Sequence, residues 1–209
     1  MKFAVSVSNK GTRMKKIIKF LKESNEGLLA DIAFVFIDNT ENEELRLLCE
    51  ENGVKLFEVD CGENVSDELL RLMEESSVDY LFLFSVFVLE GGILEKYENK
   101  IINFHPSLLP SFKGLNAIDR ALEEEVSLLG NTAHIVVKEV DAGAIVMQSV
   151  LSAHEYNDYD DVLDMQIPMF IQLMLWIDQG RMGALDGKVR IEGANYSVGQ
   201  FIPNLEIDL

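Results

Sequence analysis

FAVSVSNKGTRMKKIIKFL, residues 3–21, sets the reading of the whole chain. Its opening FAVSVS reads as a short buried strand. NKG supplies turn chemistry, and beyond it Met14, Ile17, Ile18 and Leu21 recur at helical spacing. Strand, loop and helix thus follow one another in a single stretch. The alternation continues: AFVFI (33–37) reads as strand, 41–52 as an acidic helix, VKLFEV (54–59) as strand and 66–75 as helix. Strands apolar on both sides belong to a sheet covered by helices on both sides, because only such a sheet is dry on both. The expected fold is α/β: a Rossmann-like, mostly parallel sheet with helices on both faces.

Further along, LFLFSVFVL (81–89) and KIINF (100–104) read as two more strands. The second runs directly into HPSLLPSFKG (105–114), where two prolines and a glycine forbid regular structure. Ligands of open α/β sheets bind beyond the carboxyl ends of strands, so polar residues at this junction are candidates for function. A helix is expected over 116–125. HIVVKEV (134–140) and AIVMQSVL (144–151) then read as the arms of a β-hairpin, with Asp141 in the DAG turn between them. A long helix over 158–179 contains Pro168, which predicts a kink. KVRIEGANYSVGQF (188–201) suggests a small C-terminal β-hairpin. The expected division is a main domain over 1–182 and a hairpin extension over 183–209.

Composition bounds the function. With 48% hydrophobic residues among 209, the chain can bury enough apolar surface to offset its conformational entropy. Its formal net charge of -18 opposes nucleic-acid binding, which needs clustered cations on phosphates. The first residues lack a signal-peptide core, and the longest apolar run, 81–89, is too short to cross a bilayer, so a cytoplasmic location without membrane association is expected. Cys49 and Cys61 form no CxxC pair, which predicts reduced thiols and no thiolate metal site.

The residues that carry chemistry stand at the end of the fifth candidate strand. In Asn103-Phe104-His105, period-two alternation sends the amide and the imidazole to the same side. Acyl transfer to an amine needs a hydrogen-bond donor for the oxyanion and a group that relays the ammonium proton, and these two side chains supply both. Asp141 can accept that proton or hold the imidazole in its productive tautomer if the fold brings it close. The ordinary alternative is that all three are turn and cap residues that satisfy backbone groups.

The stretch IINFHPSLLPSFKG, followed by GNTAHIVVKEVDAGAIVMQ, resembles the folate-dependent formyltransferases, whose members act on glycinamide ribonucleotide, methionyl-tRNA and sugar amines. The resemblance runs over roughly 1–182 and is strongest over 100–148. It implies that Asn103, His105 and Asp141 match the family's catalytic trio and that 10-formyltetrahydrofolate is the co-substrate. Asn103 and protonated His105 would stabilise the oxyanion, and Asp141 would assist proton removal. It also implies that the folate ring lies against Phe87, Val88 and Leu89 and the backbone of Val140, Ala142 and Gly143. Within EGGIL (90–94), Gly91 and Gly92 either admit the pterin closely or form a flexible turn. His134 is either a neighbour of the site or an ordinary strand histidine.

NKGTRM resembles the phosphate-binding turn of the glycinamide ribonucleotide members, which makes Gly11, Thr12 and Arg13 the candidate substrate-binding residues. Arg13 stands where those members usually have Asn, and its guanidinium is suited to a phosphate. Lys10, Lys15 and Lys16 reinforce a basic stretch, although Lys15, Lys16, Lys19 and Lys22 also fit a solvated helix face. Where purine-pathway members hold the ribonucleotide with a Gln and a Glu on the last long helix, this chain has Ile167 and Phe170, with Gln166 one position away. The expected acceptor is therefore a small, anionic primary amine, either glycinamide ribonucleotide-like or a nucleotide-linked amino sugar. Too few residues follow the core for the additional domain of tRNA formyltransferases. The alternatives are a formyl-folate hydrolase and a catalytically silent folate-binding protein; an oligomer is compatible with the sequence.

Overall fold

The computed structural model describes residues 1–24, 26–38, 42–59, 65–185 and 188–207. Cys61 lies outside these residues. The chain divides into two compact units, Met1–Ile102 and Asn103–Leu209.

The first unit alternates strand and helix: β1 (Phe3–Val7), α1 (Thr12–Ser24), α2 (Glu26–Ala30), β2 (Ile32–Ile37), α3 (Glu43–Glu51), β3 (Lys55–Glu58), α4 (Val65–Glu75), β4 (Tyr80–Phe84) and α5 (Gly92–Lys96). β1 pairs in parallel with both β2 and β4, and β2 pairs in parallel with β3, giving the order β4-β1-β2-β3. The chain steps outward from β1 to β3 and then returns to the far side of β1. Right-handed crossovers therefore put α4 on the opposite face from α1 and α3. Consistently, α1 packs on α2 and α3, while α4 packs on α5. Every residue of β1 is buried, as is the Met14, Ile17, Ile18, Leu21 stripe of α1. The buried Cys49 thiol is pushed up to about 12 by desolvation.

β4 stops at Phe84, short of the strand expected over 81–89. The backbone beyond it is diverted: Val86 N–H donates to Ser8 Oγ (3.2 Å) and the Ser6 hydroxyl to that of Ser85 (3.3 Å). Gly91 then caps the short α5, so the two glycines open a helix.

β5 (Ile101–His105) carries the chain from the first unit into the second. The second unit continues with α6 (Ala117–Glu123), β6 (Leu128–Ile135), β7 (Ile145–Ser152), α7 (Tyr159–Leu163), α8 (Gln166–Asp178), β8 (Met182–Leu185), β9 (Lys188–Ile191) and β10 (Phe201–Ile202). β6 and β7 form an antiparallel hairpin, with β10 antiparallel on β7. A separate hairpin joins β8 to β9.

Three sequence expectations change here. The β6–β7 hairpin exists, but 136–140 leaves the ladder, so the connection runs from 136 to 144. The cause is Gly143: a Cβ there would lie 1.8 Å from the Ile135 carbonyl oxygen. Only glycine lets the strands close at that point, where Ile135 N–H donates to Ala144 O (2.9 Å). The helix expected over 158–179 is two helices. Pro168 is the third residue of α8, where its missing N–H costs no intrahelical bond, so it accompanies a start and not a kink. The expected C-terminal hairpin forms between 182–185 and 188–191; the chain after Ile191 turns, and Phe201–Ile202 joins β7 instead.

Candidate active site

At the end of β5, alternation separates two functions. Phe104 points to the apolar side, its ring 6.4 Å from that of Phe170 on α8 in a T-shaped contact. Asn103 and His105 point the other way, toward β6 and the β6–β7 connection. Asn103 Nδ2 lies 3.2 Å from His134 Nε2, and His105 Nδ1 lies 3.3 Å from Asp141 Oδ2. His134 Nε2 is also 3.3 Å from Asp141 Oδ1. The predicted trio is therefore gathered, with His134 as the link between amide and carboxylate. Asp141 occupies the left-handed region (φ 49°), which turns its carboxylate inward between the two rings.

The loop after His105 completes the arrangement through backbone groups. Phe112 O lies 2.9 Å from His105 Nε2, and Gly114 N–H donates to Asp141 Oδ2 at 2.8 Å. Both His105 nitrogens thus face acceptors. A neutral ring donates to only one of them, and a protonated ring to both. Burial pushes the His105 ring below its ordinary value, against the Phe112 carbonyl and Asp141, which pull it up; His134 and Arg120 add to the lowering. Burial also pushes the Asp141 carboxyl up, but the His134 ring, the Gly114 N–H and the His105 ring together outweigh it and hold the group at about 2. The result is an ionised carboxylate whose side chain is only 7% exposed, beside an imidazole it can stabilise in the charged form. His134 Nδ1 is 3.0 Å from Ile135 O. With its proton there, the neutral ring accepts from Asn103 at Nε2; with a proton on Nε2, it donates to Asp141.

The first part of that loop is fixed by β6. The buried Thr132 hydroxyl donates to Ser107 O (2.7 Å) and accepts from Leu109 N–H (3.0 Å) and Gln148 Nε2 (2.9 Å). That is one donor and two acceptors, the full capacity of a hydroxyl.

The sequence reading left His134 undecided between a site residue and a strand residue. The available signal was the Thr132-Ala133-His134 alternation, which puts the hydroxyl and the ring on one side of β6. The contributions of Phe112 O and Gly114 N–H carry no side-chain signature.

The remaining predicted residues divide between the two units. Of the expected folate contacts, Val140 is 47% exposed, Ala142 is exposed and Gly143 half-buried, all on the connection that carries Asp141. In the first unit, Val88 is exposed, Leu89 is part of the core, and Phe87 packs edge-on to Phe36 at 6.1 Å. Gly11, Thr12 and Arg13 line a cleft of about 270 Å³ together with Val7 to Lys10 and Phe84. This cleft sits at the carboxyl ends of β1 and β4, where the strand order reverses, the position at which open α/β sheets bind ligands. Gly11 takes φ 56° and packs against Leu45, where a Cβ would lie 2.8 Å from Cδ2. The Arg13 guanidinium donates to Phe84 O (3.3 Å) and covers the Phe84 ring. Lys15 pairs with Glu44 and is thereby drawn to the helix face. Gln166 is buried, with Nε2 donating to Asn131 Oδ1 (2.8 Å), and Phe170 is in the core; neither is presented to a ligand. Among the described residues there is no cluster suited to a metal ion and no helix long and apolar enough to cross a membrane.

Comparison with known proteins adds three observations. The family model described as formyl transferase matches residues 1–166. Two curated relatives are the trifunctional purine biosynthetic protein adenosine-3 of Gallus gallus, 37% identical over 157 residues, and a formyltetrahydrofolate deformylase of Bacillus subtilis, 33% identical over 128 residues. The chain spans 15% of the first and 42% of the second, and the matches cover 72% and 59% of this chain. Among solved structures, phosphoribosylglycinamide formyltransferase from Anaplasma phagocytophilum superposes with a TM-score of 0.80 at 27% identity, covering 92% of this chain and 95% of that one.

Proposed function

Because the chain belongs to the formyl transferase family, we propose that it transfers a formyl group from 10-formyltetrahydrofolate to the primary amine of a small phosphorylated metabolite of the glycinamide ribonucleotide kind. The observation that carries this reading is the Asn103–His134–Asp141–His105 cluster, built around two buried histidines. The surroundings suit a flat, largely apolar co-substrate: exposed Leu115 and Val140 flank the Gly114–Asp141 hydrogen bond, one next to each partner in sequence. When bound, 10-formyltetrahydrofolate supplies an electrophilic formyl carbon whose oxygen gains negative charge as the amine adds.

The side chains have distinct parts. Asn103 Nδ2 offers an N–H to that oxygen, a donor already held in place by His134. His105 offers a second from Nδ1, because its contact with Asp141 is longer than the one that fixes Nε2 to Phe112 O. The Asp141 carboxylate stays ionised through the cycle and stabilises whichever imidazole carries the extra proton, so the proton leaving the attacking amine has His134 as a partner and is returned to the folate nitrogen when the bond from that nitrogen to the formyl carbon breaks. Gly11, Thr12 and Arg13, at the start of the thirteen-residue α1, are suited to the phosphate, with backbone N–H groups and the helix terminus supplying positive potential. Ala142 and Gly143 join Val140 as folate contacts on the second unit in this reading; Phe87, Val88 and the backbone of the core residue Leu89 are those proposed for the first, and 1–182 is its catalytic domain.

The second reading, hydrolysis of the formyl-folate, follows from the similarity to the Bacillus subtilis deformylase. One experiment separates them. Protein is incubated with 10-formyltetrahydrofolate, with and without glycinamide ribonucleotide or other amines, and compared with His105→Ala. Formylated amine, absent in the variant, is expected. Formate released without any amine would establish hydrolysis, and binding without turnover a silent folate-binding protein.

A further inference from the structure

We infer that Arg120 is a positioning residue for His105, acting through the backbone of Lys113. Three consecutive loop residues hold the cluster. Phe112 O faces His105 Nε2 and Gly114 N–H donates to Asp141 Oδ2, so the run 112–114 fixes the spacing between ring and carboxylate. Between them, Lys113 O accepts from Arg120 Nη2 on α6. Among the described residues this carbonyl is the only hydrogen-bond acceptor of the guanidinium, and Arg120 Nε is buried with none. The side chain is therefore committed to the loop and not to a surface ion pair.

The loop needs such a fastening. Phe112 (φ 54°) and Asn116 (φ 54°) are left-handed non-glycine residues, a conformation that persists only when neighbouring contacts over-determine it. Phe112 also packs its side chain against the Ile118, Ala121, Leu129 and Val162 cluster, which includes α6 residues adjacent to Arg120. Hydrophobic packing holds the loop on one side and the Arg120 bond holds its middle. Neither Arg120 nor Lys113 touches the cluster's reacting atoms; their effect reaches His105 through the direction of the Phe112 carbonyl.

The charges facing His105 are the Asp141 carboxylate from the β6–β7 connection, His134 from β6 and Arg120 itself from α6, alongside the Phe112 carbonyl. They make the test directional. If Arg120 only repels a proton from His105, its removal raises the ring's titration midpoint. If it positions Phe112 O, its removal loosens the acceptor that favours the charged ring, and the midpoint falls. The inference rests on the reading that His105 takes part in formyl transfer, but the primary readout is the ring's own titration, measured by NMR without substrate.

In Arg120→Met the His105 midpoint is expected to fall by roughly half a pH unit. In Arg120→Lys, which keeps the charge but not the planar fork, a smaller fall is expected. In the transfer assay kcat is expected to drop roughly tenfold in the Met variant, with KM for the amine unchanged. A midpoint that rises or stays in place in either folded variant would overturn the inference. A fall in a protein that shows no transfer activity would leave it standing and remove the transferase reading instead.

Discussion

Asp141→Asn is the most informative single change, because it keeps the shape of the side chain and removes only its charge. The amide oxygen can still accept from Gly114 N–H, so the left-handed turn at 141 keeps its anchor. What is lost is the carboxylate between His105 and His134. A carboxyl held at about 2 in place of 3.8 corresponds to about 2 kcal/mol of stabilisation of the charged form. With the side chain only 7% exposed, solvent screening removes little of it. The folded-state value is depressed, so this stability is fully present above about pH 4 and is lost as pH falls through 2. Denaturant melts of both proteins between pH 7 and pH 2 should therefore show a gap of about 2 kcal/mol at neutral pH that closes at the acid end. Formyl transfer by the variant, followed at pH 7, should fall roughly a hundredfold or more, because neither imidazolium retains its counter-charge. A gap that stays constant down to pH 2, or transfer within threefold of wild type, would refute the reasoning.

Three further outcomes are expected. The His105 ring should titrate below 6.5 in the folded protein; its neutral form is favoured by burial, so stability falls as pH drops below 6.5, and His105→Gln should flatten that part of a stability–pH curve. Gly143→Ala should destabilise the protein by several kcal/mol, since no flexible atom can yield to a Cβ 1.8 Å from a carbonyl, while Gly183→Ala, with open space around its Cβ position, should change the melting temperature little. Gln166→Leu should lower stability by about 1–3 kcal/mol through the Asn131 Oδ1 left without a donor, yet leave KM for the amine unchanged; a raised KM would return Gln166 to the substrate site.

Much of this was legible in the sequence where one period dominated. The α1 stripe from Met14 to Leu21 and the alternation Asn103-Phe104-His105 each follow from backbone geometry alone, and the side chains point where that geometry sends them. The reading failed where long-range contacts overrode local pattern. LFLFSVFVL is apolar throughout, but whether its second half stays in the sheet depends on Ser6 and Ser8, roughly eighty residues earlier. Val136 and Val137 extend the apolar run of β6, yet the hairpin closes at Ile135 and Ala144 beside Gly143, before they can pair. Pro168 looked like a kink because the break before it, at Asp164–Met165, carries no glycine or proline of its own. Within the site, the residues alone left the trio open against turn and cap roles, and the resemblance to the folate-dependent formyltransferases singled it out. His134 needed the three-dimensional bridge to be distinguished from a structural histidine, and Phe112 O and Gly114 N–H belong to backbone that any residue would supply.

The Thr132 hydroxyl has a kinetic implication. A loop written HPSLLPSFKG invites the idea of a flap that opens for each turnover. With every lone pair and the proton of that hydroxyl spent on it or on Gln148, the segment from Ser107 to Leu109 is instead part of the wall: its amides should exchange with solvent only when the β6–β7 ladder itself opens. On the connection that carries Asp141, by contrast, Val137 and Val140 face water, and in the proposed reaction substrate passes on that side.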